Sequence, residues 1–302
     1  MTVYGLNYRS EARALEPRWR RLVPLVRLEF GTLFRSKWGI VAFLFCLISA
    51  LVRLVAMLVQ MGILDFGPGR RGSRLNNVSR GPSELAQFDP WQVDFYLEPV
   101  LQPGEGLVPM LILTALVTAR AIAKDRTTFA LELYWTRGIT PGGYCLAKWA
   151  GSFLLVAMAT AGASTVLWLT GVLIAEDWSF LTTTIGFAPR AIAALLVFAA
   201  MLTGLCILCS AIAGSANLAA ICWCLLLMVS SAVGAIVANF TGNEALAARC
   251  SIWEATAVVA RHVAGVAPRR SDLGGALVLL GVVGLVLGLL ARRRLRLQEA
   301  LT

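Results

Sequence analysis

The densest set of chemically capable side chains lies at residues 120–148, RAIAKDRTTFALELYWTRGITPGGYCLAK. It offers Lys124, Asp125, Arg126, Glu132, Arg137 and Lys148 beside Phe129, Leu131, Leu133 and Trp135. Asp125 or Thr127 is placed to cap a short helix whose Phe129, Leu133 and Trp135 share an apolar side, with Glu132 on another. Thr140-Pro141 then opens a second helix, threonine as the cap and proline in the first turn. A short amphipathic helix of this kind suits two tasks: inserting its apolar side into a groove of a soluble partner, or lying on a bilayer. Both are recognition rather than bond-making.

The groups that catalysis needs are missing from the sequence. The nearest approach to a phosphate loop, Gly138-Ile-Thr-Pro-Gly-Gly143, is followed by Tyr144 where the motif requires lysine, so the phosphate-binding ammonium is lacking. His262 is the single histidine, which excludes bis-histidine haem ligation. Cys206-x-x-Cys209 resembles half a zinc site, but it lies in an apolar run without a second polar ligand pair. Cys46, Cys222 and Cys224 also sit in apolar runs, where cysteine behaves as a small hydrophobe. The expectation is a chain that is not an enzyme and binds neither metal nor cofactor itself.

The elements that must carry this segment are membrane spans. Of 302 residues, 58% are hydrophobic and 15% charged, and the mean hydropathy is +0.74. A soluble domain carries about 25% charge. The apolar residues are clumped in runs long enough to cross a ~30 Å hydrocarbon core as helix. The fold class expected is an all-α membrane protein of six transmembrane helices, with an N-terminal interfacial helix and a short cytoplasmic amphipathic helix. The spans fall at about 38–60, 106–123, 144–175, 189–212, 217–238 and 273–290, with outer loops at 65–105 and 239–272. The second span is long enough only if it continues past Arg120.

Residues 1–37 form a basic segment, too polar for a signal peptide, in which Leu22, Val23, Leu25, Val26, Leu28 and Phe30 recur among Arg20, Arg21, Arg27 and Glu29. This suits an amphipathic helix in the headgroup plane, contacting membrane lipids, or a helix packed on a partner. Six spans put both termini on one side. With that side cytoplasmic, the three inner charge clusters carry eight, five and four Lys/Arg, seventeen of the 27. The positive-inside rule therefore places both termini in the cytoplasm of a multi-pass inner-membrane protein. It also accounts for the net charge of +10 without a nucleic-acid partner.

Segment 120–148 resembles the cytoplasmic connection of ABC-2 type transporter permeases, the membrane subunits of ATP-driven exporters. Those chains commonly read Glu-Arg, a small residue, Leu-Glu, then a polar turn and Gly-Lys opening the third span. Asp125-Arg126, Leu131-Glu132 and Ala147-Lys148 stand at those places. The departures are Asp for Glu, Phe129-Ala130 where Gly-Thr is common, no proline around Arg137, and Ala147 for Gly. The resemblance implies that residues 125–137 form the coupling helix docking on a separate ABC ATP-binding subunit, which holds ATP and Mg. It further implies a dimer with a second permease copy or a related permease, the pathway lying between them. Lys124, Arg126 and Arg137 are then candidate partners for ATPase carboxylates, and Glu132 for orienting the helix; each is equally readable as a solvated surface charge.

Three further features carry two readings each. Arg53, about fifteen residues into the first apolar run, either snorkels to the outer interface or makes a substrate or subunit contact on the pathway. Residues 88–98, FDPWQVDFYLE, read as an aromatic belt with a solvated acidic rim, or as a lid or dock for an extracytoplasmic partner. Gly284-x-x-x-Gly288 offers either a helix contact within the bundle or a dimerisation seam. The stretch 243–263 reads as amphipathic helix lying on the outer surface.

Overall fold

The computed structural model describes residues 22–61, 63, 89–128, 130, 134, 139–175, 178–242, 246, 249–266 and 272–299. Phe129, Leu131, Glu132, Leu133, Trp135 and Arg137 lie outside them, as do residues 1–21 and most of the first outer loop. The described chain is helical: α1 (Val23–Arg35), α2 (Lys37–Gln60), α3 (Asp94–Leu101), α4 (Val108–Leu116), α5 (Ala121–Thr127), α6 (Pro141–Ala157), α7 (Ala163–Ile174), α8 (Ser179–Thr184), α9 (Ala188–Ile212), α10 (Ala216–Thr241), α11 (Ile252–Ala264) and α12 (Leu273–Glu299). Six helices are long and apolar enough to cross a membrane: α2, Pro103–Thr127, Pro141–Ile174, α9, α10 and Leu273–Arg294.

Local chemistry sets the breaks. Ser36, Thr140, Ser215 and Ser251 each accept a backbone N–H three residues on, starting α2, α6, α10 and α11. Gly242 and Gly265 end α10 and α11 with φ of 62° and 78°, where a Cβ would be strained. The second span is interrupted between α4 and α5. There the N–H of Ala119 reaches back to the Thr114 carbonyl at 2.8 Å. The first turn of α5 is capped from another helix, because Ser210 Oγ on α9 accepts the N–H groups of Ile122 and Ala123 at 3.1 and 3.2 Å. Asp125 lies inside α5 and Thr127 is its last residue; the helix they were expected to cap, with Phe129, Leu133 and Trp135, lies outside the described residues.

The hub is α9. It buries Leu195, Phe198, Ala199, Leu202 and Cys206 and packs on α6, α10, α11 and α12. By contrast α2, α10 and α12 turn much of their apolar surface outward, as lipid-facing helices do. Gly284 on α12 approaches Leu205 of α9, 3.8 Å from a Cβ built there, whereas Gly281 and Gly288 face open space.

Two outer-loop expectations need correction. Residues 252–264 do not lie on the surface: α11 is buried along most of its length, from Ile252 through Ala260. Ala255, Ala257 and Ala260 let neighbouring helices approach it on several sides. Its Trp253 packs edge-on against Phe198, with ring centroids 5.1 Å apart, and donates Nε1–H to the Leu101 carbonyl at 3.1 Å. The 88–98 stretch is likewise no simple interfacial belt. Phe95 and Tyr96 are buried, the Tyr96 hydroxyl donates to the Pro90 carbonyl at 3.0 Å, and Trp91 alone of the described aromatics there is exposed. Both segments can enter the bundle because their polar groups find partners inside it.

Candidate functional site

On the α1 side of the bundle, three chain segments meet at Lys148. The ammonium sits in α6 eight residues into the third span, where an unpaired cation would be costly. It donates to Glu29 Oε2 of α1 at 2.7 Å and pairs with Asp125 Oδ2 of α5 at 2.8 Å. The Tyr144 hydroxyl, one turn earlier on α6, donates to the same Asp125 oxygen at 2.8 Å. Lys148 and Glu29 are almost wholly buried and Asp125 is 13% exposed. Tyr134, in the segment that follows α5, brings its ring to 5.6 Å from that of Tyr144.

The close approach of α1 depends on Gly151. A Cβ at that position would stand 2.6 Å from Glu29 Cβ and 2.9 Å from the Val26 carbonyl oxygen. With two carboxylates around one ammonium, the cluster carries an excess negative charge. Burial pushes the Glu29 carboxyl above its ordinary value, Lys148 works against that shift, and Asp125 adds to it. Breaking such a buried cluster leaves an uncompensated charge, so its members hold α1, α5 and α6 as a unit.

The neighbouring Arg126 faces inward. Its guanidinium donates to the Ala213 carbonyl at 2.5 Å and the Ala211 carbonyl at 2.7 Å, at the C-terminal end of α9 where a cation is favoured. Lys124 is exposed. Asp125 and Arg126 therefore lock the end of the second span to α1, α6 and α9, and Lys124 points outward from that lock.

A second charged cluster forms on the opposite side. Arg53 is 1% exposed and does not snorkel. Its Nη1 donates to the Phe95 carbonyl at 3.0 Å, and its Nη2 lies 3.4 Å from Glu98 Oε2 and 3.2 Å from Glu105 Oε2. Ser49 Oγ donates to the same Glu105 oxygen at 2.7 Å. The turn Pro103–Leu107 that presents Glu105 packs against α3, close enough that a Cβ on Gly106 would overlap the Val100 carbonyl. Glu98 and Glu105 are part-exposed, at 47% and 36%, so the buried arginine sits beneath an accessible carboxylate rim.

The family model described as ABC-2 family transporter protein matches residues 23–251, from the first residue of α1 to the serine that caps α11. The chain belongs to this family. No curated protein and no solved structure matches it. As an ABC-2 permease it is a membrane transport component, multi-pass and not itself an ATPase, of a family that generally works with an ATP-binding subunit.

Against this family frame, the structure brings together two motif positions that are distant in sequence: the acid of Asp125-Arg126 and the base of Ala147-Lys148. Sequence reasoning passed over their shared partner, Glu29, as one acid among many arginines. A carboxylate on an amphipathic helix is ordinarily solvated, so nothing local marked Glu29 as the one that Gly151 lets bury against Lys148. Glu98 and Glu105 were passed over as partners of Arg53 for a different reason. Nothing in the pattern foretold that α3 and the following turn would fold back into the bundle.

Proposed function

We propose that this chain is the pathway-forming permease subunit of an ATP-driven exporter, working as a pair with a second copy or a related permease in the inner membrane. Both termini lie in the cytoplasm, and the segment 124–137 is the handle gripped by a separate ATP-binding chain, which holds ATP and Mg. The observation that carries the reading is the Glu29–Lys148–Asp125 cluster. Any displacement of the segment beyond α5 must pull on α1 and on the third span, because one ammonium ties all three. Docking energy at the handle is thereby converted into movement of spans. Phe129, Leu131, Leu133 and Trp135 supply the apolar grip, and Glu132, Lys124 and Arg137 its polar rim. Arg126 anchors the base of the handle to α9.

At the far end, Arg53 with Glu98 and Glu105 ties the first span to α3 and holds the outer side shut. Opening requires that this cluster exchange partners.

The test is co-purification from native membranes, followed by ATPase assay. The purified chain has no ATPase activity alone and recovers a nucleotide-binding chain. Replacing Phe129, Leu133 and Trp135 together by aspartate abolishes recovery while the six spans remain folded. Wild-type recovery and ATPase stimulation with that triple variant would overturn the proposal.

A further inference from the structure

A cavity of about 600 Å³ runs along the flank of α9, walled by α6 and α12, within the ~300–1,000 Å³ range of small-molecule sites. Its floor and walls are apolar and low: Leu146, Trp149, Ala200, Gly204, Leu280 and Gly281 shape it. From Ala200 to Leu208 of α9 it extends roughly 12 Å along the helix axis, at ~1.5 Å per residue. The one indole on its wall is already satisfied, Trp149 Nε1 donating to the Ala200 carbonyl at 3.2 Å. Nothing in the groove asks for a polar ligand. It lies wholly within membrane-spanning segments, and Leu146 and Leu277 on its rim are about half exposed.

The groove has a deep end and a charged end. Trp149, Ala200 and Leu280 close it toward mid-membrane; Gly142 and Leu208 open it at the α1 side. There Cys145, Ile207 and Leu208 share an apolar cluster with Ala291 of α12, and Arg292, Arg293 and Arg294 follow immediately, all exposed. No acid interrupts residues 273–296. An apolar slot whose open end is followed on α12 by Arg292 and Arg293 is complementary to one molecule class, an amphiphile with a hydrocarbon chain and an anionic head.

We propose that this groove is a binding site for one anionic glycerophospholipid of the α1-side leaflet, an acyl chain lying along α9 and the phosphate facing Arg292 and Arg293. The site is independent of the docking reading above, since it requires only that the helices span a bilayer.

The experiment is native mass spectrometry of the full chain released from bilayers of phosphatidylglycerol and phosphatidylcholine in equal amounts. Two leucine variants isolate the groove. A Cβ at Gly281 meets nothing within 4 Å, so Gly281→Leu fills the slot without disturbing its wall; Gly31→Leu enters equally open space on α1, outside the groove, and is the control. Both changes favour helix, so folding is retained. Wild type and Gly31→Leu should each retain one phosphatidylglycerol, and Gly281→Leu should lose it at least tenfold. Arg292→Gln with Arg293→Gln should keep a lipid but lose the preference for phosphatidylglycerol. Equal retention by all variants, or equal loss by both leucine variants, overturns the proposal. So does a disulfide-linked dimer of Gly281→Cys in the bilayer, which would make the groove a seat for a second copy.

Discussion

Replacing Lys148 with methionine removes the cation at the junction of α1, α5 and α6 while keeping most of the side-chain volume. The two carboxylates it serves then remain at the same place, Glu29 buried and Asp125 still holding the Tyr144 hydroxyl at 2.8 Å. Removing one partner of a buried ion pair costs ~3–5 kcal/mol. The lower end is expected here because Asp125 keeps a hydrogen bond and Glu29 can escape by taking a proton. At roughly 2–4 °C per kcal/mol, about 3 kcal/mol lowers the melting temperature by roughly 6–12 °C.

The pH dependence gives a second, sharper readout. The Glu29 carboxyl in the folded protein titrates above its ordinary value because it is buried. Between the unfolded and folded values the native chain binds more protons than the unfolded one. Stability therefore falls as pH rises through that window and is flat above it. Lys148 opposes the shift, so its loss moves the upper edge of the window upward. Lys148→Met should be markedly more destabilised at pH 7.5 than at pH 5.5, measured by thermal unfolding of the full chain in detergent. Adding Glu29→Gln should abolish that difference and recover part of the loss. A Lys148→Met variant with wild-type melting temperature at both pH values would refute the reasoning.

Other outcomes follow from the same geometry. Gly151→Leu drives a side chain into Glu29 and the Val26 carbonyl; overpacking of this kind costs ~1–3 kcal/mol. It should detach α1, seen as faster proteolysis at residues 23–35 with the spans intact. Arg53→Ala strands Glu98 and Glu105 and frees the Phe95 carbonyl. It should lower the melting temperature and raise accessibility of a thiol probe at Leu97→Cys, a buried position on α3, from the side opposite α1, while Arg53→Lys retains part of both.

Much of the fold was legible because spans announce themselves by length and apolarity. Thr140-Pro141 marked the start of α6 by local chemistry alone. The start of α5 carried no such mark, because its first N–H groups are satisfied by Ser210, 88 and 87 residues away along the chain. The aromatic stretch at 88–98 and the segment of α11 carry the alternation of interfacial helices, yet both fold inward, since Trp253 reaches the Leu101 carbonyl and Arg53 holds the Phe95 carbonyl. Those bonds join residues 152 and 42 positions apart, and no local pattern encodes them. The charge cluster fell between these cases. Asp125 and Lys148 were visible as motif positions, but Glu29 emerged only when Gly151 let α1 approach the third span.

The central claim is that the segment after the second span is held by a motor on another chain. A photo-crosslinking residue in place of Phe129, activated in native membranes, tests it most directly. The account predicts a crosslink to a nucleotide-hydrolysing chain, with the yield changing when ATP is trapped. Capture of lipid alone, or labelling of position 129 from the side opposite the termini, would contradict it.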